Sequence, residues 1–169
     1  MNSAGLLVDS FGRIREVVHE AVEGLDDAEL AARVTPDANP VAWLVWHLTR
    51  VQDDHLADAF GTAQLWTSDG WADRFALPFP EHATGYGQTR AQVGRVRAPG
   101  DLLLGYHDAV HARTVDLVGG LTDADLDRIV DASWDPPVTL GVRLVSVIAD
   151  DLQHAGQAAY ARGLLNAQT

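Results

Sequence analysis

The chain has 169 residues, a net charge of −12 and no cysteine. This length suits one domain that buries roughly two-thirds of its extended-chain surface, and 47% hydrophobic against 21% charged residues excludes wholesale disorder. The acidic excess disfavours a nucleic-acid or anionic lipid partner, and without cysteine any metal must be held by His, Asp or Glu and any thiol must come from outside.

All the basic residues are arginine, and aspartate far outnumbers glutamate, a bias that reads as GC-rich bacterial coding and not as chemistry. Met1 to Val8 lacks the basic start of a signal peptide, and Val41 to Trp46 is far shorter than the ~20 apolar residues of a membrane span. The expectation is a cytoplasmic protein with no membrane partner.

Four long helices are predicted. The first runs from Leu6 to Val34 with a break near Gly24, because Leu7, Phe11, Ile14, Val18, Val22 and Leu25 recur at three and four. The second opens with Asn39 as cap and Pro40 at its first position, and stops at Gly61. Residues 62–100 form a long irregular connection that holds Trp66 and Trp71; a stretch this long is a functional loop or lid, or else hides short helices. The third helix spans Asp101 to Val118, and a short helical turn capped by Thr122 follows. The fourth begins at the cap Thr139 and runs to Arg162, where Gly163 can end it. No segment alternates well enough to be a strand. The fold class is therefore all-α, a single domain over residues 1–169 built as a four-helix bundle, whose interior is a usual place for a metal or ligand site.

His47 is the only polar residue between Val41 and Leu48, so it needs a hydrogen-bond partner or a metal. At ~100° per residue Asp54 and Asp58 fall beneath it, whereas His55 points into the centre of the apolar stripe. Projection does not choose between His47 and His55. On the fourth helix Ser146, Asp150, His154 and Gln157 share an arc of roughly 80°. Asp150 and His154, four apart, can reach one point in space, as half a metal site or as an ordinary surface pair. His107 and His111 have the same spacing on the third helix. The acid-x-x-His pairs Asp108-x-x-His111 and Asp151-x-x-His154 imitate di-metal carboxylate bundles, but those bundles use glutamate and helices two to four have none. His107 and His111 are therefore expected as a surface pair at one end of the bundle. Gly85-Tyr86-Gly87 lacks the helix-opening glycine of a phosphate loop, and no Gly-x-Ser-x-Gly elbow exists.

Trp46-His47-Leu48 on an apolar helix, followed by Asp150-x-x-x-His154-Ala-Gly-Gln157, resembles the DinB-like metal-binding bundles. These include the N-terminal domain of mycothiol-dependent maleylpyruvate isomerase and the mycothiol and bacillithiol S-transferases. The resemblance runs from Asn39 to Gly163. It implies one divalent metal, zinc or nickel, on His47, Asp150 and His154, where many members have His and the isomerase type has Glu in place of Asp150. Asp151 falls where many members carry a second acid, so a supporting role is implied for it. Gln157, Asp54 and Trp43 are expected around the ligands, and Trp66 and Trp71 at the rim of the pocket, choosing the electrophile. The implied activity is a thiol-dependent transfer or isomerisation in a homodimer, in which the metal activates a low-molecular-weight thiol. Metal-dependent hydrolysis and a non-catalytic ligand-binding or stress-response bundle are the alternatives.

Overall fold

The computed structural model describes residues 1–167; the last two residues of the expected domain lie outside them. The chain is mostly helical. Helix α1 (Ser3–Val22) is capped by the Asn2 side chain, which accepts from the Gly5 amide. It breaks where the sequence suggests, at Gly24 in the left-handed region (φ 83°), and only the single turn α2 (Asp27–Leu30) continues it, behind an Asp26/Glu29 capping box. Helix α3 (Val41–Phe60) has Pro40 itself at the cap position, one residue later than the Asn39 start expected, and ends at left-handed Gly61. Helix α7 (Gly100–Val118) leads into a 3₁₀ turn (Asp123–Asp127) capped by Thr122. Helix α8 (Leu140–Asn166), capped by Thr139, runs one turn past Gly163.

Of two features of the connections, the first is an alternative the sequence offered and the second differs from the sequence reading. Residues 62–100 hold three short helices, α4 (Leu65–Ser68), α5 (Trp71–Phe75) and α6 (Arg90–Val93). Before α8, β1 (Ile129–Asp131) and β2 (Val138–Thr139) pair antiparallel. Strands this short give no alternating pattern, which is why no strand was expected.

Helix α3 packs against both α7 and α8, and so does α1, while α1 and α3 lie across the core from one another. Phe11, Ile14, Val18 and Val22 of α1 face Leu103, Tyr106 and Val110 of α7 and Leu144, Val147 and Ala155 of α8 through one continuous core. Every residue from Val41 to Arg50 is buried, because the 62–100 connection covers the face of α3 that α7 and α8 leave bare.

That covering is tied down by a buried ion pair. Arg50 and Asp53, one turn apart on α3, lie 3.7 Å apart with almost no exposed surface. Asp53 accepts from the Leu65 and Trp66 amides (2.9 and 2.8 Å) and from the Tyr106 hydroxyl (2.8 Å). It thus satisfies two of the free amides that open α4. Arg50 donates to the Ala83 carbonyl and the Tyr106 oxygen.

His107 corrects the expected surface pair. It is buried against α3 and not exposed at the surface. The Thr49 hydroxyl donates to the Val45 carbonyl and therefore accepts from His107 Nδ1–H at 3.2 Å. The Nε2 lone pair is buried without a partner among the described residues. Projection could not find this, because the thirty-nine-residue connection allows α7 any rotation against α3. Burial, with a smaller contribution from His111, lowers the His107 pKa to about 3. The unfolded state therefore binds a proton that the native state refuses, so stability falls as pH drops from about 6.5 toward 3, by ~1.4 kcal/mol per unit from this residue. In urea unfolding between pH 7.5 and 4.5, acidification below about pH 6.5 is expected to cost the wild type more stability than His107→Gln, the difference between the two being the His107 contribution.

Candidate metal centre

Helices α3 and α8 run antiparallel, so that His47 meets Asp150 and His154 at one level and His55 meets Arg143 two turns away. One ligand atom each from His47, Asp150 and His154 lies within 4.8 Å of the other two. The His47 and His154 rings meet edge to face at 4.8 Å between centroids, and His154 Nε2 is 3.7 Å from Asp150 Oδ1. Of the two candidates on α3, the structure brings His47 to the α8 pair.

Both imidazoles have their tautomer fixed from behind. His47 Nδ1–H donates to the Thr84 carbonyl at 2.5 Å, and His154 Nδ1–H donates to Gln157 Oε1 at 2.9 Å. Each ring therefore presents the Nε2 lone pair to its neighbours, the arrangement that orients metal-ligating histidines. Trp43 stacks on His47 (4.5 Å, 17°) and donates through Nε1 to Gln88 Oε1 at 2.8 Å. Burial holds the His47 pKa below the usual imidazole value, outweighing the Thr84 hydrogen bond, so the ring is neutral and able to ligate at pH 7. Asp150 Oδ2 is buried with no partner among the described residues. A carboxylate with an orphaned oxygen, grouped with two imidazole lone pairs, is a donor set that fits a divalent cation.

The centre opens into a cleft of about 440 Å³ lined by His47, Val51, Asp54, His55, Thr84, Tyr86, Ser146, Val147 and Asp150. Asp54 is at its wall and accepts from Gln64 at 2.7 Å. Asp151 has both oxygens buried and unpartnered and is hydrogen-bonded to none of the three candidate ligands. It sits about 100° around α8 from Asp150 and faces the core, where burial beside Asp150 pushes its pKa well up. Trp66 and Trp71 are also placed away from the cleft. Their rings pack with Phe75 and Tyr106, because the Asp53 cap of α4 turns this segment inward, and Trp66 Nε1 donates to the Glu81 carbonyl.

The sequence reading did not include the segment that completes the site. Trp66, Arg50 and His47 bond the carbonyls of Glu81, Ala83 and Thr84 in turn, so residues 81–84 lie as a strap over α3. Gly85, at φ 98°, follows immediately; a Cβ there would stand 2.7 Å from His47 Nδ1 and 3.1–3.2 Å from Trp46 and Trp43. The Gly85-Tyr86-Gly87 tripeptide was the available signal, a tight turn with positive φ at both glycines, not a failed phosphate loop.

A family model described as mycothiol S-transferase matches residues 6–167. Among solved structures, the crystal structure of a conserved protein of a locus from Enterococcus faecalis aligns with a TM-score of 0.91 at 32% identity, covering 99% of each chain. No curated protein gives a significant match.

Gly85→Ala forces either the strap or the His47 ring to move. It is expected to weaken zinc binding by about 10- to 100-fold, the loss typical of a disturbed supporting group. Competition with a chromophoric chelator measures the loss, and circular dichroism checks that the helices persist.

Proposed function

We propose that this chain, which belongs to the mycothiol S-transferase family, is a DinB-like four-helix bundle forming one domain. It binds one divalent metal, zinc or nickel, through His47, Asp150 and His154, and uses it to transfer or isomerise with a mycothiol-type low-molecular-weight thiol. The observation that carries this reading is the convergence of the three ligand atoms within 4.8 Å, with both imidazoles turned lone pair inward by Thr84 and Gln157. Three protein ligands leave positions open, the arrangement of catalytic and not of structural sites. A divalent ion held there supplies Lewis-acid stabilisation of a thiolate near neutral pH.

The chain's own residues do the rest. Thr84, Gln157 and the stacked Trp43 ring hold the ligands in one orientation. Asp150 contributes one negative charge, leaving a net positive centre that favours an anionic sulfur. Val51 and Val147 give the cleft an apolar wall against which an electrophile can lie. A cytoplasmic location goes with this reading, since a thiol cosubstrate needs a reducing compartment. No helix among the described residues is long and apolar enough to cross a membrane.

The reading includes a homodimer. Val142, Val145, Ala149, Leu152 and Gly156 follow one another at alternating steps of three and four along the exposed side of α8. This uncharged seam lets two copies of a chain of charge −12 approach without setting carboxylates against each other. Sedimentation equilibrium is expected to find a dimer in the wild type and monomer in Leu152→Asp.

Elemental mass spectrometry on tag-free protein purified without chelator is expected to find about one zinc or nickel per chain, and none in His47→Ala. Turnover is expected to require both the metal and an added thiol. Activity with metal alone would make water the nucleophile, and an absence of metal even after reconstitution would leave a non-catalytic bundle.

A further inference from the structure

The end of the cleft away from the metal ligands is a built site in its own right. His55 lies two turns along α3 from His47, a rise of roughly 12 Å, and lines both the metal cleft and an adjoining groove of about 490 Å³ that contains Asp54, Asp58, Asp131 and Arg143. Its state is fixed by its neighbours. Arg143 Nη1 lies 3.0 Å from His55 Nδ1, and a guanidinium can only donate, so Nδ1 accepts and the ring proton is on Nε2. Arg143 is itself held by Asp131 at 3.2 Å, and Asp131 accepts from the Ser133 amide and hydroxyl. A second proton on His55 would face the guanidinium, and burial together with Arg143 lowers its pKa. His55 is thus a neutral imidazole with one donor to offer. That Nε2–H has no hydrogen-bond partner among the described residues and is not among the buried unpaired atoms, so it keeps exposed surface where His55 lines the cleft and the adjoining groove.

Asp54, next to it in the chain and lining the same two spaces, supplies the complement. Gln64 occupies its Oδ1, which leaves Oδ2 free to accept. A fixed donor and a fixed acceptor together match a group that both accepts and donates. A carboxylate tail is disfavoured, because Asp54, Asp58 and Asp131 surround the position and Arg143 is already paired.

We propose that His55 and Asp54 form a distal subsite of the metal cleft that reads an uncharged hydroxyl or carboxamide group on the far end of the ligand. His55 is then a specificity-determining residue, with Arg143 and Asp131 positioning it. The inference rests on the reading above for what occupies the near end of the cleft.

The test uses cobalt-substituted protein and two neutral thiols, with binding followed by sulfur-to-cobalt charge-transfer absorption. Pantetheine carries a second amide and hydroxyls roughly 10 Å or more from its sulfur when extended, whereas N-acetylcysteamine stops at its first amide. The wild type is expected to prefer pantetheine by about tenfold, the value of one well-made hydrogen bond. In His55→Phe the ratio of the two dissociation constants should fall to about one, and His55→Gln, which keeps an N–H, should recover part of it. A ratio unchanged in His55→Phe, or a wild type that binds both thiols equally, overturns the proposal. If the wild type binds neither thiol, the thiol reading fails, and the subsite is judged separately with the thiol-free alcohol panthenol on metal-free, ¹⁵N-labelled protein. A shift of the His55 Nε2 resonance that is lost in Asp54→Ala supports it, and no shift up to saturating panthenol overturns it.

Discussion

The Arg50–Asp53 pair is the constraint from which the arrangement of this molecule follows. Two charges taken out of water cost several kcal/mol each unless their hydrogen-bonding capacity is met, and the fold meets most of it with groups from outside α3. Arg50 Nη2 is left without a hydrogen-bond partner among the described residues, and the guanidinium lies over the Trp66 ring. Asp53 gathers the amides that start α4 and the Tyr106 hydroxyl, and Arg50 takes the Ala83 carbonyl. The cost of burying the pair is offset only while the connection lies across α3 and α7 lies beside it. The same bonds therefore bury the apolar first half of α3 and lay down the strap that orients His47.

Apart from that pair, the histidines and acids of the cleft and the core are of two kinds. Those near the cleft are completed on one side and free on the other. His47 and His154 donate through Nδ1 and keep Nε2 available, and His55 accepts through Nδ1 and keeps its N–H available. Those in the centre of the core have their charged forms disfavoured by burial, as His107 and Asp151 do, with one unpartnered atom on His107 and two on Asp151. A half-completed polar group beside open space is an invitation to a ligand, whereas one deep in the core is a liability at the pH where it would ionise. The chain has both, separated by about 100° of rotation at the adjacent residues Asp150 and Asp151.

How legible each part was depended on how local its cause is. The long helices, the break at Gly24, the stop at Gly61 and the Thr139 cap could be read because periodicity, glycine and capping chemistry act within a few residues. Asp150 and His154 could be paired because four residues on a helix are one turn. The positions of the short helices in the connection, the three-residue β1 and the passage of α8 beyond Gly163 were not legible. One turn gives no periodicity, and a glycine inside a packed helix is tolerated when its neighbours are held.

The sequence by itself determined that the protein is helical, that His47 sits where every face of its helix is covered, and that an acid and a histidine share one edge of α8. Those facts are set by side-chain type and helical rise alone. Only the tertiary structure decided that His47 and not His55 meets that edge, that Asp151 turns to the core, that Trp66 and Trp71 pack with Tyr106 away from the cleft, and that His107 is buried against Thr49. Each of these depends on the rotation and registry of one helix against another. That registry comes from bonds between residues tens of positions apart, such as Asp53 to Trp66 and Arg50 to Ala83, which no local pattern encodes.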